Sequence, residues 1–266
     1  MELKELQKHW NQFGKQDPLF AILTKDGKQG NKWNLDEFFE IGRQEIADVM
    51  EYVQKRGILQ HRGRALDFGC GVGRLTQALA SYFEEVVGID IAPSMVLLAK
   101  RYNQFGARCV YRVNDQDNLT LFRDQEFHFI YTNIVLQHMK PEYAKSYIKE
   151  FLRVLKPEGV LIFQLPSRNL APPRPHKPPI EPVHEPETSS IFIKFKQDFK
   201  RSVPDVLWRW YVDRKYAEPP RMEMYVTERA EVEAFLRSNG ARIIDVVRDG
   251  CAGDTWEGFR YCVTKT

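Results

Sequence analysis

Several signatures are missing from this sequence, and each absence narrows what it can be. No run approaches the roughly 18–20 apolar residues that span a bilayer. The leading stretch, MELKELQKHW, is charged and has no apolar signal core, which argues against secretion. Cysteine is sparse: Cys70, Cys109, Cys251 and Cys262 show neither a CxxC pair nor Cys/His ligand spacing. A disulfide framework and a zinc site are therefore not expected, and reduced thiols in the cytoplasm are the simplest reading. Charge of one sign is also missing. The 39 basic and 36 acidic residues leave +3, which is no nucleic-acid signature. At 43% hydrophobic, the chain is too apolar for disorder. Its 266 residues suit one large globular domain with an embellishment.

Proline is scarce except in one place. Of 15 prolines, eight lie between Pro166 and Pro186. Such a stretch is extended, not helical, and needs an explanation inside a compact domain. It runs into Ile191–Tyr216, where 26 residues hold seven Lys/Arg, three Asp and seven aromatics. Phe192, Phe195 and Phe199 share one helical face, and Trp208, Trp210 and Tyr211 follow Pro204. His176 and His184 have no Cys partners and read as exposed.

Elsewhere the hydrophobic pattern alternates. Arg64–Phe68, Glu85–Asp90, Arg108–Val113, Phe127–Tyr131 and Gly159–Gln164 read as strands. Between them lie helical stripes such as Ala144, Tyr147, Ile148, Phe151, Leu152 and Leu155. This βα alternation predicts a parallel sheet covered by helices on both faces. A long helix precedes it from Leu35, with Asn34 as cap and Glu37 three residues on. Thr227–Asn239 predicts a last helix stopped by Gly240, followed by an antiparallel hairpin, Ala241–Arg248 and Glu257–Thr264.

The most informative stretch is Ala65-Leu-Asp-Phe-Gly-Cys-Gly-Val-Gly-Arg74. A strand enters a glycine turn and then a helix, whose first N–H groups are free for a ligand. A dinucleotide fingerprint, G-x-G-x-x-G, fails because its third glycine would fall on Arg74. Asp67 would also repel a pyrophosphate, whereas it suits a ligand carrying an ammonium and a sulfonium.

An acid two residues before G-x-G-x-G resembles the class I S-adenosylmethionine-dependent methyltransferase family. The βα order extends that likeness over roughly Leu35–Pro166 and Tyr225–Thr266. The resemblance implies a Rossmann-like α/β fold: a seven-stranded, mostly parallel sheet, an antiparallel C-terminal edge hairpin, an N-terminal helical cap and an inserted segment. The expected organisation is a cap at 1–33, a methyltransferase domain at 34–165 and 225–266, and an insertion at 166–224.

The resemblance assigns a cofactor, S-adenosyl-L-methionine, with S-adenosyl-L-homocysteine as product, and a site for it. Asp67, Gly69, Cys70, Gly71 and Gly73 form the turn. Asp90, 23 residues after Asp67, accepts the ribose hydroxyls or merely caps the next helix. Ile91 and Met95 flank the adenine or belong to the core. Asp115 takes the adenine amino group with Gln116 beside it; Asp117 is the other register, and a solvated turn the bland alternative. Thr132 and Asn133 end the fourth strand. Phe39 and Gly42, with Trp10, Asp17–Leu23 and Trp33, resemble a leading segment that folds over the methionine end in a bacterial subgroup; plain core packing is the alternative. His138 is the candidate general base, or it orients the following helix. His128, where the family carries Asp, reads as an edge or loop residue. Glu158 stands where glycine is common. No metal is expected.

Methyl transfer is an in-line displacement, and the cofactor supplies the activation. The acceptor is therefore hard to read. The Asn/Asp-Pro-Pro-Tyr motif of amino-methyltransferases is absent after the fourth strand, where Tyr131-Thr-Asn-Ile-Val135 stands. O-methylation of a small-molecule, glycan or lipid-linked acceptor is favoured. Protein or RNA methylation, or a non-catalytic cofactor-binding module, is the rival. The segment 166–224 is expected to be a lid, a peripheral membrane contact through 191–216, a partner surface, or chain packed on the body. Asp254, Trp256 and Glu257 in the last hairpin are further acceptor-side candidates.

Overall fold

A computed structural model describes residues 1–171 and 219–265. The basic aromatic stretch Ile191–Tyr216, with its lid, membrane and partner readings, lies outside the described residues, as does most of the proline cluster.

Seven strands form one sheet in the order β3-β2-β1-β4-β5-β7-β6. They are β1 (Arg64–Phe68), β2 (Glu85–Asp90), β3 (Cys109–Val113), β4 (Phe127–Thr132), β5 (Leu155–Asn169), β6 (Ala241–Asp249) and β7 (Trp256–Lys265). The first five pair in parallel, and β7 runs antiparallel to both β5 and β6. The predicted sheet and its antiparallel edge pair are therefore present. β1 and β2 are nearly continuous apolar runs because helices cover both of their faces.

Helices α3 (Leu35–Lys55), α4 (Arg74–Leu79) and α5 (Pro93–Tyr102) pack on one face, through Ile46, Val49, Met50, Leu79 and Val96. α6 (Pro141–Val154) and α7 (Arg229–Ser238) cover the other, through Tyr147, Ile148, Phe151, Val232 and Leu236. Burying each such side chain contributes about 1.5–3 kcal/mol. Asn34 caps α3 as predicted: its Oδ1 accepts from the Glu37 N–H at 3.0 Å. The Glu37 carboxylate does not complete the capping box; it pairs with Lys28 at 2.5 Å. Two more helices lead the chain, α1 (Leu3–Gln16) and α2 (Pro18–Ile22).

Two strand features differ from the sequence reading. β5 does not end at Gln164 but continues to Asn169, so Pro166 lies within the sheet. Its partner there is β7, with Pro166 opposite Gly258 and a register shift just beyond. β4 pairs with β5 only as far as Thr132–Phe163, so beyond that point β5 has a neighbour on one side. That free side tolerates a residue without an N–H. His128 is not an edge or loop residue either. It sits on β4, between β1 and β5, where the register shifts between Phe127 and Phe129. Its Nδ1 accepts the Arg64 N–H at 3.1 Å, a bond across to β1.

Candidate functional site

The strand order reverses at β1: β2 and β3 lie on one side, β4 and β5 on the other. Such a switch point opens a crevice at the carboxyl ends of the strands. A largely apolar cleft lies there. The glycine turn, the ends of β2 and β4, and the helices α1 and α2 line it.

The turn is shaped by left-handed glycines. Gly69 has φ +74° and Gly71 has φ +52°. A Cβ on Gly69 would stand 2.3 Å from Val135, and one on Gly71 2.6 Å from Ile22. Both conformation and space thus require glycine. The Gly69 and Cys70 N–H groups are tied to the Ile89 carbonyl at 2.8 and 2.9 Å. The turn is thereby anchored to β2. Gly73, at φ +85°, is the N-cap of α4.

Asp90 ends β2 on the cleft wall. Its two oxygens accept from the Gly71 N–H at 2.9 Å and the Ala92 N–H at 2.8 Å. Each oxygen keeps a second lone pair for a ligand hydroxyl. Burial pushes its pKa up to about 6, against the lowering effect of those N–H bonds. Asp67 lies one layer behind the wall and does not line the cleft. It accepts the Thr76 hydroxyl at 2.6 Å, fastening α4 to β1, and burial pushes its pKa up to about 7.

The structure brings Gly69, Cys70, Gly71, Asp90, Ile91, Met95, Asn133 and His138 together around this cleft. It places the other sequence candidates elsewhere. Asn114 donates its amide N–H to the Gln116 and Asn118 carbonyls, which curls the segment and turns Asp115, Gln116 and Asp117 to solvent. Gln116 then donates to Asp115 at 2.7 Å, and Asn114 itself meets the cleft. Thr132 is buried on the sheet with its hydroxyl unpartnered. Phe39 faces away, edge-on to Phe38 and Tyr102. Gly42 marks the crossing of α3 over α4, where a Cβ would stand 2.9 Å from the Arg74 carbonyl oxygen. At the last hairpin Asp254 is exposed and Glu257 pairs with Arg248 at 2.9 Å. Cys251, an exposed residue of the same hairpin, accepts from Asn133 Nδ2 at 3.7 Å.

His138 sits in a short 3-10 turn, Leu136–His138, and is only 6% exposed. Its Nδ1 lies 2.9 Å from the Glu223 carbonyl oxygen. A carbonyl only accepts, so Nδ1 carries the proton and Nε2 is the unprotonated nitrogen, which accepts from the Gln137 amide Nε2 at 3.4 Å. Burial holds the imidazole below its ordinary pKa, against a raising contribution from that bond. Trp10 of α1 packs edge-on to the ring, with centroids 5.3 Å apart. Beside it, Ile134 has φ +53°, an uncommon conformation for a β-branched residue.

Behind Asn133 lies a buried polar cluster that the sequence reading missed. Glu45 on α3 accepts from Arg74 at 2.8 Å, Tyr131 at 2.9 Å and Asn133 at 2.8 Å. Glu45 lies in an ordinary helical pattern and carries no motif. Arg74 figures in the sequence only as the residue that spoils a dinucleotide fingerprint. Among the described residues, no group of three or more His, Cys, Asp or Glu could hold a metal ion. No helix among them is long and apolar enough to cross a membrane.

Comparison with known proteins agrees with this geometry. A family profile for the methyltransferase domain matches residues 66–163. A ubiquinone biosynthesis O-methyltransferase from Xylella fastidiosa is 32% identical over 123 residues, 46% of this chain and 49% of that protein. The putative methyltransferase YqeM of Bacillus subtilis is 31% identical over 110 residues, 41% and 44% of the two chains. The chain thus spans about half the length of the curated relatives it matches. Among solved structures, magnesium protoporphyrin IX methyltransferase from Synechocystis, with S-adenosylhomocysteine bound, covers 100% of both chains at TM-score 0.60 and 17% identity. That likeness establishes the fold. Residues 66–163, which carry the glycine turn at the switch point, are thus similar to a methyltransferase domain, and the sheet has the fold of a solved methyltransferase.

Proposed function

We propose that the protein transfers a methyl group from S-adenosylmethionine to a hydroxyl of a small molecule with an apolar body. One observation carries this reading: His138, with its tautomer set by Glu223, holds an unprotonated nitrogen in the same cleft as the glycine turn and Asp90. The cofactor would lie across the turn, with its ribose hydroxyls on Asp90 and its adenine beside Ile91, Met95 and Asn114. Asp67 would act from behind, by holding α4 and adding negative potential. Bound there, S-adenosylmethionine supplies the sulfonium-activated methyl group.

The protein supplies alignment, exclusion of water and a proton acceptor. Leu3, Leu6 and Trp10 roof the cleft, and Val135 and Met139 continue its apolar wall. Such a wall suits an aromatic or aliphatic acceptor more than a sugar. His138 is too deeply buried to meet a group on a polymer surface. The Xylella relative, named for O-methylation in ubiquinone biosynthesis, supports the same class. The test is transfer of a labelled methyl group from S-adenosylmethionine into fractionated cell extract. Label in an organic-extractable small molecule, stable to mild base, is the expected result. Label confined to precipitated protein or RNA would overturn the acceptor class.

A further inference from the structure

Gln137 precedes His138 in the same 3-10 turn and is 4% exposed. Its side-chain amide makes one hydrogen bond among the described residues, from its Nε2 to the His138 Nε2 at 3.4 Å. That is longer than a strong hydrogen bond. Its Oε1 is buried without a partner. The imidazole is short of partners for its charged form. Nδ1 donates to a neutral carbonyl, that of Glu223, where a carboxylate would favour the imidazolium more. The charged groups on the elements around it are engaged elsewhere: Glu2 and Glu142 with Lys140, Glu5 with His9, and Glu223 with the Met1 ammonium and Tyr225. Tyr143 donates to Glu2, and Asp90 and Arg74 line the same cleft at the glycine turn. None of them moves the His138 pKa, which answers to burial and to the Glu223 carbonyl.

We infer that Gln137 is a positioning residue for the proton transfer, its amide rotating to accept a hydrogen bond from His138 once the imidazole is protonated. This rests on the reading of His138 as the base. As the acceptor oxygen takes the methyl group, its O–H bond breaks and the proton passes to Nε2. The pair of the broken C–S bond stays on sulfur as a neutral thioether, and the imidazolium later gives its proton to water. Nε2 thus becomes a donor where it was an acceptor, and the Gln137 N–H would face it donor to donor. An amide carries its donor and its acceptor at opposite corners, so half a turn about its last bond exchanges them. The half turn breaks no other hydrogen bond, because Oε1 has no partner to lose. A buried amide oxygen left unpaired costs stability, and that cost is recovered when the imidazolium forms. A buried cation with no carboxylate beside it is otherwise expensive.

The test follows the His138 ring nitrogens by NMR against pH, in full-length protein with labelled histidine and no ligand. The His138 resonances are those lost in His138→Gln. Gln137→Met keeps the shape of the side chain and removes the amide. The His138 pKa should then fall by about one pH unit, the scale of a hydrogen bond to the charged ring less the one to the neutral ring. Gln137→Glu puts a carboxylate at the same point and should raise it by about 1–3 pH units. An unchanged pKa in Gln137→Met, or shifts of the same sign in both variants, would overturn the inference. If Gln137→Glu does not fold, the methionine variant alone decides. Methyl transfer into the extract acceptor separates this claim from the one beneath it. The acid limb of the rate should move to lower pH in Gln137→Met by as much as the titration does. A wild-type rate in His138→Gln would overturn the base reading, and this inference with it, whatever the titration shows.

Discussion

The two ends of the sheet use the same residue types differently. At the amino end, Arg64 begins β1, pairs with Glu85 at 2.9 Å and also contacts Glu126. His128 is there too, with its Nδ1 spent on a backbone N–H. Arg64 and Glu126 stay partly exposed and pair with each other. At the carboxyl end, Arg74 and His138 are nearly buried beside a cleft, and the Arg74 Nε–H has no partner. Exposed pairs of the first kind are worth little and suit a solvated rim. Buried groups with capacity in reserve are costly unless a ligand uses them. Burial with incomplete pairing, more than the residue types themselves, marks the working end of this sheet.

The largest effect should come from removing the imidazole that lines the cleft. His138→Gln is expected to slow methyl transfer roughly 100- to 10,000-fold, the usual contribution of a positioned base. S-Adenosylhomocysteine affinity and thermal stability should change little. The wild-type rate should fall on the acid side with an apparent pKa below 6.5, because burial lowers the pKa of His138. An unchanged rate in the variant would leave the histidine as a helix-orienting residue only. Next in size is Asp90→Ala, which should weaken S-adenosylhomocysteine binding by about 1.5–3 kcal/mol, as expected for lost charge-assisted hydrogen bonds. Calorimetry would read it, and wild-type affinity would show that the ribose lies elsewhere.

How much of this was legible beforehand follows the same division. The strands, the capped α3 and the closing hairpin were readable because hydrophobic period and turn chemistry are local. The glycine turn and Asp90 were readable because their spacing is fixed within one βαβ unit. Asp115 was placed by motif register, yet the Asn114 side chain curls that segment outward and meets the cleft itself. Phe39 and Gly42 were placed over the methionine end by resemblance, but the packing of α3 on α4 directs one outward and uses the other as a crossing point. The cluster of Glu45, Arg74, Tyr131 and Asn133 joins three separate elements, and no periodicity connects them. The extension of β5 through Pro166 depended on how far its neighbour β4 reached, which is a tertiary fact.

A third prediction uses pH to compare buried with exposed acids. In the ligand-free protein, Asp67 keeps its proton up to about pH 7 and Asp90 up to about pH 6, whereas each ionises near 3.8 when unfolded. Between those values the unfolded state binds fewer protons, so stability must fall as pH rises from about 4 to about 7. Melting temperatures across that range should show the decline, and Asp67→Asn should flatten part of it. Exposed acids give no such slope. A flat wild-type profile would mean that Asp67 is ionised in the folded protein.

The smallest effect tests strain at the two ends. Glu158, in the exposed, irregular start of β5, has φ +59°, which explains why glycine suits that position; Ile134, in the cleft wall, has φ +53°. A left-handed residue with a Cβ costs about 1–2 kcal/mol, and glycine returns about 0.5–1 kcal/mol of that as chain entropy. Glu158→Gly should therefore raise stability by roughly 0.5–1 kcal/mol in denaturant melts and leave cofactor affinity alone. Ile134→Gly gains the same backbone relief but removes a side chain that lines the cleft. Its stability gain should come with weaker S-adenosylhomocysteine binding. If both variants behave alike in stability and in binding, strain at the carboxyl end carries no more function than strain at the exposed start of β5. If only Ile134→Gly loses affinity, that strain holds the wall of the site in place.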